Sequence, residues 1–418
     1  MIPDAAFLRA LVYGGAVLGG GGGGSLPAGL AAARAALAAG TPHIVPLHRI
    51  DPRATLATLS AVGTVGTTSG GTTSGGSTSG GAMSSRAVSG GTTSGGTTSG
   101  GAISHRHFDR ALAVFVPFAG REIGGFIASE VGPRAVTYGL RESAITGIPV
   151  VDAPCNGRAH PLFTMGSLGL HRRPRVASAT VAVGGAFGSA RYVELAVRAN
   201  VVTAGRIVRE RAAGSGVALA VVRNPLPAAY VRRHAAVGGL AFAARVGHVL
   251  LARLPEGCGA VLAALAKLMD GRVLAHGRVA RADLSERQGF TVGRIAVEQA
   301  DGGVLRLLVC NELMAADDRG HRLAAFPDLI TLFDRQSGLP LGSAEAEAGR
   351  AVAVFAVPRT QLILGSTMQD AGLLRGIEAM AGIRLASSWR MPPAGRPARI
   401  VARMGSPAWL AAPAGQWD

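Results

Sequence analysis

Acidic, basic and nucleophilic side chains lie close together in the stretch 150–161, whose sequence is VVDAPCNGRAHP. Asp152 follows an apolar run and could act as a base that activates water, and His160 could act as an acid or a base. Arg158 could hold a carboxylate or a ring carbonyl through two hydrogen bonds. Cys155 is a candidate nucleophile, because a nearby imidazole and guanidinium would lower the pKa of its thiol. Each also has a structural alternative, such as a capped loop for Asp152 or an ordinary salt bridge for Arg158.

A glycine run, Gly19–Gly24, precedes the N-terminus of a predicted helix. Its central residues Gly21, Gly22 and Gly23 could direct backbone N–H groups at an anionic group of a substrate. The run lacks the Gly-Lys-Ser/Thr of a Walker loop and the spacing of a dinucleotide-binding fingerprint. A flexible hinge is the alternative.

Further candidates come from the same stretch and from two other places in the chain. Asn156 and Gly157 are assigned to the same substrate site as Arg158. Glu122, which precedes two glycines, is a candidate catalytic carboxylate, or else a carboxylate at a helix start. Asn311 and Glu312 follow a β-type run and could reach the site from a second domain, or satisfy a turn.

Metal and cofactor binding have no clear sequence signature. Four histidines could gather around a metal, but no spacing with an acidic residue completes such a site; they are His105, His107, His160 and His171. The three cysteines are far apart and never form a CxxC pair, which argues against disulfides and zinc knuckles. Metal and cofactor are therefore both left unknown.

The formal net charge is +17, yet its distribution does not favour a nucleic-acid partner. Lys267 is the only lysine, the arginines are scattered, and few aromatic residues lie between them to stack with bases. We expect an anionic, cyclic amide-like small molecule as the partner. Homo-oligomerisation is expected only because most soluble oligomers are homo-oligomers. The N-terminus lacks a basic region and a cleavage motif, and no long uncharged apolar stretch is present, so we expect a cytoplasmic protein without a membrane span.

The arrangement of elements predicts an α/β N-terminal domain over 1–270 and a β-rich C-terminal domain over 271–418. Helices are predicted over Asp4–Tyr13, ending at Gly14-Gly15, and over Pro27–Ala39, between Ser25 and Gly40. Arg110–Phe118 is predicted to be a buried strand. Short β-type runs separated by turns begin near Val273.

Seven pentads, mostly TTSGG, fill residues 67–101. Their Gly/Ser/Thr composition offers few apolar side chains to bury, so a flexible surface loop is the prediction. A glycine-rich lid over the site is the alternative.

Several motifs in order resemble the S-methyl thiohydantoin desulfurase family, which is associated with hydantoinase systems. They are the glycine run, Glu122-Ile123-Gly124-Gly125, the 150–161 stretch, Gly289–Gly293, Cys310–Leu313 and Phe326–Ile330. The resemblance covers nearly the whole chain except the pentads. It implies a hydrolase that removes a thiol from, or hydrolyses, a thiohydantoin- or hydantoin-like five-membered ring.

Two positions depart from the pattern of that family, because Pro154 and Leu162 stand where relatives carry acids. The alternative function is therefore a non-catalytic small-molecule-binding protein, or an accessory subunit of a hydantoinase-type system.

Overall fold

The computed structural model describes residues 2–63 and 103–385. The N-terminal region carries helices and a seven-stranded mixed sheet, and the C-terminal region carries an eight-stranded antiparallel sheet. The predicted fold class, an α/β part followed by a β-rich part, is confirmed. The pentads at 67–101 lie outside the described residues.

The first sheet has the strand order β1-β4-β3-β2-β7-β5-β6. Its strands are β1 (Ile44–Pro46), β2 (Thr55–Val62), β3 (Gly125–Ala128), β4 (Val150–Asp152), β5 (Ser178–Gly184), β6 (Val193–Ala199) and β7 (Leu219–Pro227). Strands β1 to β4 pair in parallel, whereas β7, β5 and β6 continue the sheet antiparallel. Because β2, β3 and β4 run the same way, their carboxyl ends meet at one edge of the sheet, where α/β proteins place ligands.

The second sheet has the order β12-β11-β10-β9-β8-β15-β13-β14 and only antiparallel pairs. Its strands are β8 (Arg272–Arg287), β9 (Phe290–Gln299), β10 (Val304–Cys310), β11 (Glu312–Asp318), β12 (His321–Ala325), β13 (Leu329–Asp334), β14 (Pro340–Leu341) and β15 (Ala351–Val357). The change from one sheet to the other falls between Pro227 and Arg272, in a helical segment.

The helices of the described ranges pack mainly around the first sheet and between the two sheets. They are α1 (Ala5–Gly19), α2 (Leu26–Ala39), α3 (His105–Ala119), α4 (Leu140–Thr146), α5 (Val201–Ser215), α6 (Ala228–His234), α7 (Gly239–Arg253), α8 (Cys258–Met269) and α9 (Ala371–Ala381). Helix α2 matches its sequence signals, because the hydroxyl of Ser25 accepts a hydrogen bond from the N–H of Ala28 and Gly40 follows its last residue.

Two predicted elements are wrong. Residues 110–118 belong to α3 rather than to a strand, because the buried side chains Phe108, Ala111 and Phe115 recur at helical spacing while Val116 is exposed. Helix α1 continues through Gly14 and Gly15 instead of ending there.

Glycine lets α1 and α7 approach backbone to backbone. A Cβ added to Gly14 would lie 1.7 Å from the carbonyl oxygen of Ala243, and one added to Gly247 would lie 1.8 Å from that of Ala10. No side chain fits in such a space. The tertiary contact therefore outweighs the low helix propensity of glycine, which explains why α1 is not interrupted.

In the part of the chain that the structure describes, no single helix has both the length and the apolar character to cross a membrane. The residues of α6 and the longer helical segment from Gly239 to Glu256 reach that length only as a pair bent by 52°.

We predict that Gly247→Ala destabilises the protein by about 3 kcal/mol, because the added methyl group would overlap the backbone of α1. The matched control is Gly259→Ala in α8, where an added Cβ would meet no atom within 4 Å. That change should leave stability unchanged or raise it by up to about 1 kcal/mol. Chemical denaturation of both variants tests the prediction, and equal midpoints would contradict the close packing.

Candidate functional site

A cavity of about 210 Å³ lies where the carboxyl edge of the first sheet meets the second sheet. Residues from both regions line it. The polar or charged side chains among them are Ser25, Ser60, Ser129, Glu130, Arg134, Tyr138, His160, Arg209, Arg223, Asn311, Glu312 and Glu345. The glycine loop 21–24 forms another part of the wall. Of the site residues expected from sequence, Gly21, Gly22, Gly23, His160, Asn311 and Glu312 line this cavity.

Glu130 follows β3, so its carboxyl group stands at the carboxyl edge of the parallel strands. Its Oε2 accepts a hydrogen bond from the backbone N–H of His160 at 3.1 Å and lies 3.7 Å from His160 Nε2. Burial raises the pKa of Glu130 to about 7, although this N–H group and the charges of two arginines oppose the rise. The group is therefore divided between its acid and base forms near neutral pH, as general acid–base catalysis requires.

His160 lies beside Glu130 as a neutral ring. Its Nε2 is 3.3 Å from the carbonyl oxygen of Ser129, which can only accept, so Nε2 carries the proton. Burial, assisted by the charge of Arg223, lowers the pKa of His160 to about 3. Its buried Nδ1 therefore has a free lone pair, and no group in the described ranges donates to it.

Glu312 brings a second carboxyl group to the cavity from the first position of β11. The turn before it depends on Asn311, whose φ of 58° is tolerated by asparagine. The side-chain oxygen of Asn311 accepts from the N–H of Thr291 at 2.9 Å, and its carbonyl accepts from the hydroxyl of Ser343 at 2.6 Å. The hydrogen bonds of Asn311 thus stabilise the turn, and the turn places Glu312 at the wall of the cavity.

Glu312 is 2% exposed as a residue. Burial, with the neighbouring charge of Glu130, raises the pKa of Glu312 well above its usual range, and the attraction of Arg158 only partly offsets this. Its Oε2 has no hydrogen-bond partner in the described ranges.

The glycine loop joins the two sheets through its carbonyl groups. The carbonyl of Gly20 accepts from the N–H of Leu313 at 2.8 Å, and that of Gly21 accepts from the N–H of Ser343 at 2.9 Å. The carbonyl of Gly23 accepts from the N–H of Arg134 at 3.0 Å. The loop is thus fixed by both regions.

Gly22 gives the loop its closest approach to an acidic side chain. A Cβ at this position would lie 2.2 Å from Glu312 Oε1. Only glycine leaves room for the carboxyl group between the loop and β11.

Three arginines give the cavity a positive potential. The guanidinium groups of Arg209 and Arg223 stack on phenylalanine rings at 3.8 and 3.6 Å from the ring centres. Arg134 lines the cavity next to the start of α2. Burial raises the pKa of both Glu130 and Glu312 and so favours their neutral forms. The arginines then give the cavity a net positive charge, which favours an anionic ligand.

Asp152, expected from sequence to be the base, does not line the cavity. Its carboxylate accepts hydrogen bonds from the N–H groups of Leu240 and Ala241, at 2.7 and 3.3 Å, in the first turn of α7. Burial raises its pKa to about 6, although both N–H groups favour the ionised form. Asp152 thus caps the distant helix α7, a structural role that differs from the cap of its own following loop considered from the sequence.

Three other residues of the 150–161 stretch support the site from behind instead of lining it. Asn156 donates to the carbonyl of Met165 at 2.8 Å, and a Cβ at Gly157 would lie 1.8 Å from the carbonyl oxygen of Ile363. Arg158 donates to the carbonyls of Pro327 and Asp328, and its guanidinium lies over the ring of Phe326. Arg158 was predicted to bind the substrate. The structure corrects this, because the residue is fully buried and hydrogen-bonds to backbone carbonyl groups instead.

The candidate nucleophile Cys155 has a raised thiol pKa instead of the lowered pKa that activation would need. Its thiol is buried 3.6 Å from the hydroxyl of Thr58, and burial raises its pKa to about 11. A neutral thiol without access to the cavity is not an activated nucleophile.

Glu122, predicted to be a catalytic carboxylate, is exposed before the start of β3 and lies outside the cavity. The structure therefore corrects that prediction. A carboxyl group that does line the cavity, that of Glu130, lies at the other end of the same strand. Sequence reasoning also missed Ser60, Arg134, Arg209 and Arg223. The one available signal was Ser129-Glu130 directly after an apolar run, the same pattern that drew attention to Asp152.

The histidines considered as metal ligands lie apart and have partners of their own. His107 Nε2 is 2.8 Å from the carbonyl oxygen of Gly185, and His171 Nε2 is 2.9 Å from Asp370 Oδ2. Within residues 2–63 and 103–385, no three His, Cys, Asp or Glu side chains gather as metal ligands would.

Comparisons with known proteins agree with this architecture. The family model described as S-Me-THD-like, N-terminal domain, matches residues 6–193, and the one described as S-Me-THD-like, C-terminal domain, matches residues 199–368. A crystal structure of a protein from Chromobacterium violaceum is similar, with a TM-score of 0.64 and 18% identity over 91% of this chain and 96% of that one. At that identity the likeness concerns the fold. Among curated proteins, no significant match is found.

We predict that Asp152→Ala lowers stability by about 2 kcal/mol, because two N–H groups of α7 lose their acceptor. Asp152→Asn retains one oxygen acceptor and should lose less than half as much. Thermal unfolding measures both changes. Equal stability of the alanine variant and the unmodified protein would contradict the capping role.

Proposed function

The chain belongs to the S-methyl thiohydantoin desulfurase-like family, and on that premise we propose that it hydrolyses an anionic five-membered ring, releasing a thiol from it. The single observation that carries the proposal is Glu130. This carboxyl group lines a cavity, has a pKa near 7 and is held against a neutral histidine. A carboxyl group in that state can accept a proton from water and later return it.

The reaction needs only water as a co-reactant. The water oxygen bonds to the ring carbon that carries sulfur, Glu130 takes one proton from the water, and the adjacent ring nitrogen takes a proton from solvent as its double bond to that carbon becomes single. The hydroxyl proton then returns to solvent as the carbonyl forms, the carbon–sulfur bond breaks, and the thiolate leaves with the proton held by Glu130. A ring C(SR)=N thus becomes C(=O)–NH and a free thiol.

The remaining charged side chains suit an anionic substrate. Arg134, Arg209 and Arg223 surround the carboxyl groups, and the N-terminus of α2 lies at the same wall. A carboxylate on the substrate would be attracted by these charges and by the helix dipole.

One observation favours the second candidate, a binding protein without turnover. Leu162 lines the cavity, at a position where the family pattern has an acid, so the site has one carboxylate fewer than expected. The other departure, Pro154, lies outside the cavity and packs against Gly239 of α7. Only Leu162 therefore bears on the chemistry.

We predict that Glu130→Gln lowers kcat for thiol release by about 10²- to 10⁴-fold, because the amide cannot take a proton from water. Glu122→Gln is the matched control, since that carboxylate is exposed and outside the cavity. The assay follows free thiol from an S-methyl thiohydantoin carrying a carboxylate, with plain hydantoins in parallel. Thermal stabilisation by every ring without any release of thiol would favour the binding protein.

The rate should also depend on pH through Glu130. Because the raised pKa keeps this carboxyl protonated below about 7, the active base is lost there. We expect kcat/KM to fall about tenfold per pH unit well below pH 7 and to reach its maximum above pH 7. A profile that breaks near pH 4, as an ordinary glutamate would give, would rule Glu130 out as the base.

A further inference from the structure

A second carboxyl group in the cavity, that of Glu312, has no part in the steps assigned to Glu130. Its Oε2 is buried and lacks any hydrogen-bond partner within the described residues, which is a costly state unless a ligand supplies one. Gly22 packs against Oε1, so the group cannot turn away toward the loop. Glu312 therefore has an unmet hydrogen-bonding capacity at the wall of the cavity that it lines.

The surroundings of Glu312 favour the neutral acid over the carboxylate. Arg158, a buried cation whose charge attracts Glu312, directs its Nη1 to the backbone carbonyls of Pro327 and Asp328, and it forms no ion pair with Glu312 among the described residues. Glu130 contributes repulsion, and Arg209 is held by the carbonyls of Gly289 and Pro161. A neutral carboxyl group at this position offers one O–H donor to a ligand.

We propose that Glu312 is the general acid of the reaction and delivers its proton to the ring nitrogen next to the carbon under attack. This assignment rests on the proposed function and adds a second catalytic residue to it. Two carboxyl groups in one cavity, one able to take a proton and the other holding one, are the arrangement that acid–base pairs require.

The proton balance closes over one turnover. Glu312 gives its proton to the ring nitrogen while Glu130 takes one from the attacking water, which leaves a tetrahedral carbon bearing OH, SR and NH. Glu312 then takes the proton of that OH as the carbonyl forms, the carbon–sulfur bond breaks, and Glu130 gives its proton to the thiolate. Both groups return to their starting forms.

The role sets a requirement on the substrate. The ring must present a nitrogen with a free lone pair, as a C(SR)=N ring does. A plain hydantoin presents N–H at that position, which cannot accept the proton of Glu312. We therefore expect hydantoins to bind as products do and not to react.

The test compares Glu312→Gln and Glu312→Asp with Asp152→Asn, a buried carboxyl group outside the cavity. Glu312→Gln keeps a neutral hydrogen-bond donor but cannot transfer a proton. We expect it to lower kcat for thiol release by about 10²-fold or more while KM changes less than about threefold. Its residual rate should lose the fall at alkaline pH that the unmodified protein shows when Glu312 ionises. Glu312→Asp should restore that fall and part of the rate, and Asp152→Asn should retain turnover.

The outcomes separate the two proposals. Thiol release by the unmodified protein, lost in Glu130→Gln but retained in Glu312→Gln, would overturn the acid role and leave the proposed function standing. A loss in Glu312→Gln that appears only in KM, or that leaves the alkaline fall in place, would assign Glu312 to binding or structure instead. Absence of release by the unmodified protein would overturn the proposed function and the acid role with it.

Discussion

The contact between the backbones of α1 and α7 determines where the groups of the cavity stand. Helix α7 begins beside Asp152, the last residue of the parallel strand β4, and α1 lies against α7 with no side chain between Gly14 and Ala243. Helix α1 ends at Gly20, where the glycine loop starts. A shift of α1 along α7 would therefore displace the loop from Glu312 and Arg134 together. A few missing Cβ atoms thus control the geometry of a site that lies at the end of the helix.

The pKa values of the carboxyl groups in the cavity are shifted more by removal from water than by hydrogen bonds or ion pairs with particular partners. Glu312 is buried and Glu130 is half-buried, and Glu130 receives a backbone N–H group whereas Glu312 Oε2 receives no such donor. Hydrogen bonds to the ionised form lower a carboxyl pKa, so these two environments separate the two groups. The buried arginines Arg158 and Arg223 donate to carbonyl oxygens and stack on aromatic rings, while some of their N–H groups have no partner among the described residues, and their charge contributes a positive potential to the cavity.

Local patterns were sufficient to predict much of the fold. Ser25 and Gly40 mark the two ends of α2, and the alternation after Val273 identified most of the second sheet. Helix α3 was mistaken for a strand because its apolar residues are contiguous in sequence, and the amphipathic spacing begins only at Phe108. Helix α1 is predicted too short because its glycines are required by close packing against α7, which lies far away in the sequence.

The site was predicted in part, for the same physical reason. Sequence reasoning found the glycine loop, His160 and Glu312, each of which lies in a short motif. It chose Asp152 over Glu130 although both follow strands, because only the fold shows that α7 begins beside one and the cavity beside the other. Arg209 and Arg223 come from α5 and β7, and their convergence depends on pairing between distant segments.

The burial of α1 also has a consequence for how the chain is made. Most of this helix is apolar and buried, yet its principal partner, α7, is synthesised after the whole first sheet, and only α2 follows α1 directly. During translation at about 5–20 residues per second, α1 leaves the ribosome many seconds before α7 exists to cover it. A nascent chain with such an early, uncovered helix is a natural client for chaperones that bind short apolar segments.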